Sequence, residues 1–512
     1  MKLNTIAVLG GGPGGLYAAR LLKLSHPDAR VSVYEQGVPD KTFGFGVGLA
    51  SRTQRNLRSA DSESLAAIVA AAHSHDMSMW VGDQQARLSH GDLLAIGRAE
   101  LLSLLQQFAE RSGVSLHFDA RRSVTDLDAD LIIAADGVNS ATRTELADDF
   151  KPQLEEGKGL YLWCGTEFAL PSAVFVPATT DHGTFVAHAY PYAADRSTFL
   201  IETDESTWAR AGFDDTTRRT PTSGSDQASL DYLQEAFADA LQGHRLIGNR
   251  TRWLRFRTVH CDTWHTRNIV LLGDAAHTAH YSIGSGTKLA MEDAIALDRA
   301  VQAAGTLGEA LDAYEQERRP AVDHLQSTAA RSMLWWDSFP ERMSAMPVDQ
   351  LMIAYMTRAG KVSVERFAES ASHVVRRGVA AYADVTEDDV PMGDGLVEWI
   401  LSRPLNYGQY RFGGRIAPSG LRTDVATHTV DVGTVAAWGA SADRLLHGLP
   451  EAQVYWLTGP SDHDAVLNRL ELAERVRRHV AGVTVVDVPP ERRSDAVAAL
   501  VSERTHLVAL TS

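Results

Sequence analysis

Apolar residues gather in short runs along this chain, and the spacing inside each run predicts what it forms. TIAVLG, residues 5–10, is apolar, partly β-branched and ends in glycines, the pattern of a buried strand. LYAARLLKL follows with apolar residues at helical spacing, and ARVSVYEQ, residues 29–36, reads as a second strand. GRAELLSLLQQFAERSG, residues 97–113, predicts a helix closed by Gly113. VSLHFDA and DLIIAADG read as strands, the second ending at Asp136-Gly137. Between 159 and 203, GLYLWCGTEF, GTFVAHAYPY and STFLIETD are aromatic and β-branched with turn residues between them, so they predict antiparallel sheet. Residues 212–230 are polar and predict a loop. NIVLLGD, residues 268–274, returns to the buried-strand pattern, and 289–380 is mostly helical. PMGDGL and RFGGRIAPSGLR interrupt the pattern between 391 and 422, and AQVYWLTG, VTVVDV and HLVALTS then alternate with helical segments.

Composition changes this picture little. A chain of 512 residues predicts more than one domain, at about 100–200 residues each. A formal net charge of −16 argues against a nucleic-acid partner, because phosphate neutralisation needs a basic surface. A local basic pocket for a phosphorylated ligand remains compatible with it. Two cysteines, Cys164 and Cys261, without a CxxC pair exclude a disulfide framework and a zinc ribbon and fit a reducing cytoplasm. Both are expected as small buried residues. The N-terminal run ends in glycines too early for a secretory signal, and no apolar stretch is long enough to span a membrane. No metal site is expected.

GGGPGG, residues 10–15, satisfies GxGxxG at Gly10, Gly12 and Gly15, with Pro13 and Gly14 between. It follows a predicted strand and opens a predicted helix, the context in which the motif carries weight. One glycine permits the turn, one admits a pyrophosphate to the backbone, and one lets helix pack on strand. The helix N-terminus then meets the phosphates. Glu35, followed by Gln36, ends the second strand, where a carboxylate can accept from ribose hydroxyls. Two further strands end in Asp136-Gly137 and Gly273-Asp274, far along the chain. An extended FAD needs such a second grip near its ribityl chain.

With these motifs the chain resembles the single-component FAD-dependent aromatic hydroxylases of the para-hydroxybenzoate hydroxylase type over roughly residues 3–330. The helix ALDAYEQERRP, residues 310–320, and Arg98 before the long helix belong to the same match. Where most of that family has proline after GDAAH, Tyr281 stands here, and HYSIGSGT, residues 280–287, is similar to the branch acting on aryl-coenzyme A thioesters. The resemblance implies an α/β fold. A Rossmann-like FAD-binding domain (about 1–60, 97–155 and 255–330) is interleaved with a substrate sheet (about 75–96 and 156–254). A helical part spans 320–400, and a small thioredoxin-like α/β domain spans 405–512. It implies NADH or NADPH as transient hydride donor, O2 as co-substrate, and ring hydroxylation through a flavin C4a-hydroperoxide. Salicylyl-CoA attacked at ring position 5, giving gentisyl-CoA, is the leading expectation. 2-Aminobenzoyl-CoA, a tryptophan- or indole-derived free aromatic, and a flavin-binding scaffold without turnover are the alternatives. A homodimer is compatible with all of them.

The FAD contacts implied are Gly10, Gly12, Pro13, Gly14, Gly15, Glu35, Gln36, Arg98, Asp136, Asp274, Gly284, Gly286 and Thr287. His280 and Tyr281 fall on the loop expected near the reacting edge and are the candidate catalytic residues. His277 is expected to be structural. Lys288 either touches flavin or is solvated. Trp335-Trp336 is expected in a core or interface. SRTQRNLR, residues 51–58, and Arg376-Arg377 either meet coenzyme A phosphates or are solvated helix faces.

Overall fold

The computed structural model describes residues 1–39, 44–89, 93–284 and 286–511. The chain forms two compact units: 1–78 with 90–333, and 79–89 with 334–512. No helix among the described residues is long and apolar enough to cross a membrane.

In the first unit, β1 (Thr5–Leu9) lies between β2 (Arg30–Tyr34) and the Leu131–Ala134 strand, parallel to both. Ile269–Leu271 adds beyond Leu131–Ala134, and Ser115–His117 beyond β2, again parallel. β1, Leu131–Ala134 and Ile269–Leu271 are nearly continuous apolar runs, as expected where helices cover both faces of a parallel sheet. Leu131, Ile133, Ala134, Val270 and Leu271 are fully buried. The first helix, α1 (Pro13–Ser25), crosses back over β1. A Cβ on Gly14 would stand 2.7 Å from Leu272 and 2.9 Å from Ala290. Only glycine lets α1 sit this close to the Gly286–Ala303 helix. Gly10, Asp136 and Gly273 each follow the C-terminal end of a parallel strand, the edge where sheets of this kind bind ligands.

The second sheet of this unit is antiparallel, as the alternating aromatic segments predict. Pro152–Thr166 pairs with Arg196–Thr203 and Trp253–Cys261, and Gly183–Ala193 pairs with Arg196–Thr203 and Ala173–Thr180. Tyr161 lies opposite Glu202, Glu202 opposite Val186, and His188 stands two residues on from Val186. Successive side chains alternate between faces, so Tyr161, Glu202 and His188 share one. A small third sheet carries β3 (Gly46–Leu49) antiparallel to Leu94–Gly97, and α2 (Ser51–Ala60) follows it. Residues 212–230 are not the expected loop. Phe213–Arg219 and the start of Gln227–Ala236 are helical, with Phe213 and Leu230 buried and Asp226 capping the second helix through Ser229 N. The polar composition hid two short helices that each bury one apolar side.

In the second unit, Thr427–Asp431, Val454–Thr458, Val483–Val488 and Leu507–Leu510 form a parallel sheet in chain order, so this end is α/β. Trp335 and Trp336 pack against Phe339 and Tyr355, each nearly excluded from solvent, and are core residues. Arg342 and Glu474 form a buried ion pair at 2.6 Å.

Candidate functional site

The glycine turn between β1 and α1 builds the first part of the site. Gly10 has φ +102°, and a Cβ there would lie 2.2 Å from the Ala135 carbonyl oxygen. Gly15 is as tightly placed, 2.2 Å from the Gly10 oxygen. Gly12, by contrast, has nothing within 4 Å of where a Cβ would stand, and it precedes α1 without any side-chain cap. The first N–H groups of α1 thus have no side-chain acceptor at the cap, with Pro13 at the first helical position. Glu35 borders this turn: its carboxylate accepts from Gly11 N at 2.7 Å and Gly37 N at 2.6 Å. Gln36 beside it is exposed.

Two acid-bearing strand ends form the second part. Asp136 Oδ2 accepts from the Thr142 N–H and hydroxyl, both at 3.1 Å, whereas its Oδ1 is buried without a partner. Arg143 ties this segment to the next. Its guanidinium donates to the Ala275 and Val138 carbonyls at 2.8 and 2.6 Å. Asp274 follows Gly273, whose φ of +62° and contact with Ala290 require glycine. Solvent reaches the Asp274 carboxylate, yet protein surrounds it, as at the floor of a cleft. Burial raises its pKa, while Arg98 and His277 oppose the rise. Arg98 is half-buried with its Nε unpartnered, and burial lowers its pKa against the pull of Asp274. A Cβ on Gly286 would lie 3.9 Å from Asp274 Oδ1, so the start of the Gly286–Ala303 helix, where Thr287 is the second residue, borders this carboxylate. Gly284 (φ +60°) makes the turn leading there.

The expected catalytic pair, at a short turn spanning Tyr281–Ile283, packs against the antiparallel sheet. The Tyr281 hydroxyl donates to Glu202 Oε2 at 2.6 Å, and Glu202 Oε1 stands 3.1 Å from His188 Nε2. Tyr281 also packs on Tyr161, at 4.9 Å between ring centres. His280 lies beside Ser282 (2.9 Å) and edge-on to Phe256. Burial pushes the Tyr161 and Tyr190 phenols up to about 12, so both stay protonated donors. Burial also opposes ionisation of Glu202, but His188, with His280 and Tyr281, holds its pKa below the usual value. Sequence reasoning missed Glu202, His188, Tyr161 and Arg143. A histidine and a glutamate at buried positions of apolar strands were the available signal.

His277 is structural in position. It is buried, with Nε2 2.8 Å from Asp293, which Arg318 also holds at 2.7 Å. Lys288 stands 3.9 Å from Glu292. Arg377 is taken up by Asp349 through two hydrogen bonds of 2.7 and 2.8 Å. Cys164 and Cys261 are buried and unpaired, as expected.

An uncapped helix at a glycine turn, with acids at neighbouring strand ends, defines a dinucleotide-binding site. Comparison with known proteins carries this further. The family described as "FAD binding domain" matches residues 98–329. A salicyloyl-CoA 5-hydroxylase of Streptomyces sp is 42% identical over 369 residues, 70% of this chain and 71% of that protein. A 3-hydroxy-4-methyl-anthranilyl-[aryl-carrier protein] 5-monooxygenase of Streptosporangium sibiricum is 36% identical over 72% of this chain and 98% of its own length. The structure of a 2-methyl-3-hydroxypyridine-5-carboxylic acid oxygenase mutant shares the fold over 73% of this chain and 98% of its own, with TM-score 0.53 and 19% identity. The chain belongs to the FAD-dependent aromatic hydroxylases. It is therefore an enzyme with FAD as cofactor, which sets aside the scaffold without turnover.

Proposed function

We propose that this enzyme hydroxylates the ring of an aryl-coenzyme A thioester, salicyloyl-CoA at position 5, with NADH or NADPH as reductant. One observation carries the reading. The two relatives compared above both act on an aromatic acyl group held on a carrier, coenzyme A in one and an aryl-carrier protein in the other.

Bound FAD supplies hydride acceptance and oxygen activation. The protein residues do the holding. Gly10, Gly12, Pro13, Gly14 and Gly15 admit the pyrophosphate to the α1 N-terminus, and Glu35 and Gln36 take the ribose. The unpartnered Asp136 Oδ1 and Arg98 Nε, with Asp274, meet the ribityl chain and ring system. Gly284, Gly286 and Thr287 bring backbone to the same ring. The sheet face with Tyr161, His188 and Tyr281 walls the substrate ring and excludes water. Glu202, ionised, fixes the directions of Tyr281 and His188, so two polar groups stand at set positions against an aryl hydroxyl. Their role is positioning. A phenol already activates its own ring, so a protein base is not required.

The test is a stopped-flow panel of salicyloyl-CoA, 2-aminobenzoyl-CoA and the two free acids. Salicyloyl-CoA is expected to speed flavin reduction and couple O2 uptake to hydroxylated product. Coupling by the free acids alone, or by none of the four, overturns the reading.

A further inference from the structure

Three arginines on α2, Arg52, Arg55 and Arg58, recur every third residue and are exposed. Arg20 and Arg111 share Glu63, and Arg318 holds Asp293. None of the three α2 guanidinium groups has a hydrogen-bond or ion-pair partner among the described residues. Beside them stands Lys288, which reaches the same Glu292 as Asn56 of α2. The neighbouring carboxylate, Glu292, is already shared by Asn56 (2.6 Å), Lys288 (3.9 Å) and Arg318 (3.6 Å). α2 thus carries three exposed arginines and meets, through Asn56, the same Glu292 that Lys288 reaches, on a molecule whose formal charge is −16. Like charges at this spacing repel one another, and an anion bound at this patch relieves that repulsion.

Its place identifies the anion. Lys288 lies two residues beyond Gly286, which borders Asp274, so the patch begins at the rim of the candidate site. α2 opens without a side-chain cap and presents free N–H groups beside Arg52. Guanidinium groups match phosphate oxygens in pairs. The rival pair, Arg376-Arg377, lacks this character because Asp349 holds Arg377. We propose that Arg52, Arg55, Arg58 and Lys288 receive the phosphates of coenzyme A while the acyl ring enters the aromatic-walled site. This rests on the aryl-CoA reading above and names the residues that would serve it.

The test is titration calorimetry on the full-length, FAD-loaded enzyme. The probes are coenzyme A, adenosine 3′,5′-bisphosphate and 4′-phosphopantetheine, each at two salt concentrations. Coenzyme A and the bisphosphate are expected to bind wild type and to weaken as salt rises. The double variant Arg52→Gln/Arg55→Gln should bind both about tenfold more weakly. Arg218→Gln, on a separate exposed helix, should match wild type. Unchanged binding in the double variant overturns the proposal. So does equal binding of phosphopantetheine and coenzyme A, which would give the surface to a carrier-borne substrate. If coenzyme A binds through these arginines but no aryl-CoA couples turnover, the functional reading fails and the site stands. If salicyloyl-CoA is hydroxylated and wild type ignores both nucleotides, the site fails alone.

Discussion

Glu202 is a carboxylate on an apolar strand, buried and yet ionised, and only its neighbours explain it. Because His188 depresses its pKa below the ordinary 4.5, its contribution to stability is complete above that value. The contribution is lost as pH falls through the lower folded value. Glu202→Gln keeps the shape and removes the charge. It is expected to cost about 1–3 kcal/mol near neutral pH, and less as the pH drops below 4.5. Urea unfolding from pH 7 to pH 3 measures this, and a difference that stays constant with pH would refute it. Glu35, Asp136 and Asp274 were legible in the sequence because each follows its own strand within a local motif. Glu202, His188 and Tyr161 were not, since cross-strand register decides which distant residues meet. Arg143 stood in a stretch already singled out, but Ala275, the partner that ties it to the next strand end, lies 132 residues away.

At the scale of the element, the β1–α1 turn separates two uses of glycine. Gly15→Ala would drive a methyl group into the Gly10 carbonyl. It should destabilise the fold by about 1–3 kcal/mol or more, seen in denaturant melts of the apo-protein. Gly12→Ala meets no protein atom, so apo stability should hold. Its FAD affinity should fall about tenfold or more, because the methyl group stands where phosphate approaches. Equal FAD affinity in Gly12→Ala and wild type would remove the turn from the cofactor site. Strand and helix periods made this element readable in advance. Residues 212–230 were misread because short helices leave too few apolar positions to show a period.

At the scale of the molecule, each compact unit has its own core and its own buried charge. In the second unit, Arg342 is what makes Glu474 tolerable: their side chains are 2% and 4% exposed. Arg478 also reaches Glu474. Arg342→Met leaves that carboxylate poorly compensated, with an expected loss of about 3–5 kcal/mol in chemical denaturation. Arg342→Met/Glu474→Leu should recover most of it, and no recovery would show that the pair is not the cause. The sequence announced an α/β tail here without hinting at this pair, since neither residue lies in a motif.

The parallel sheet sets a schedule for synthesis. The first strand made, β1, gains one neighbour within 30 residues and its second at Leu131–Ala134, and that strand in turn waits for Ile269–Leu271. Arg143 finds its carbonyl partner only once Ala275 exists. A ribosome has therefore translated more than half of the chain before the nucleotide cleft can close. Until then the apolar Leu131–Ala134 strand waits with one edge open, the interval in which a nascent chain depends most on chaperones.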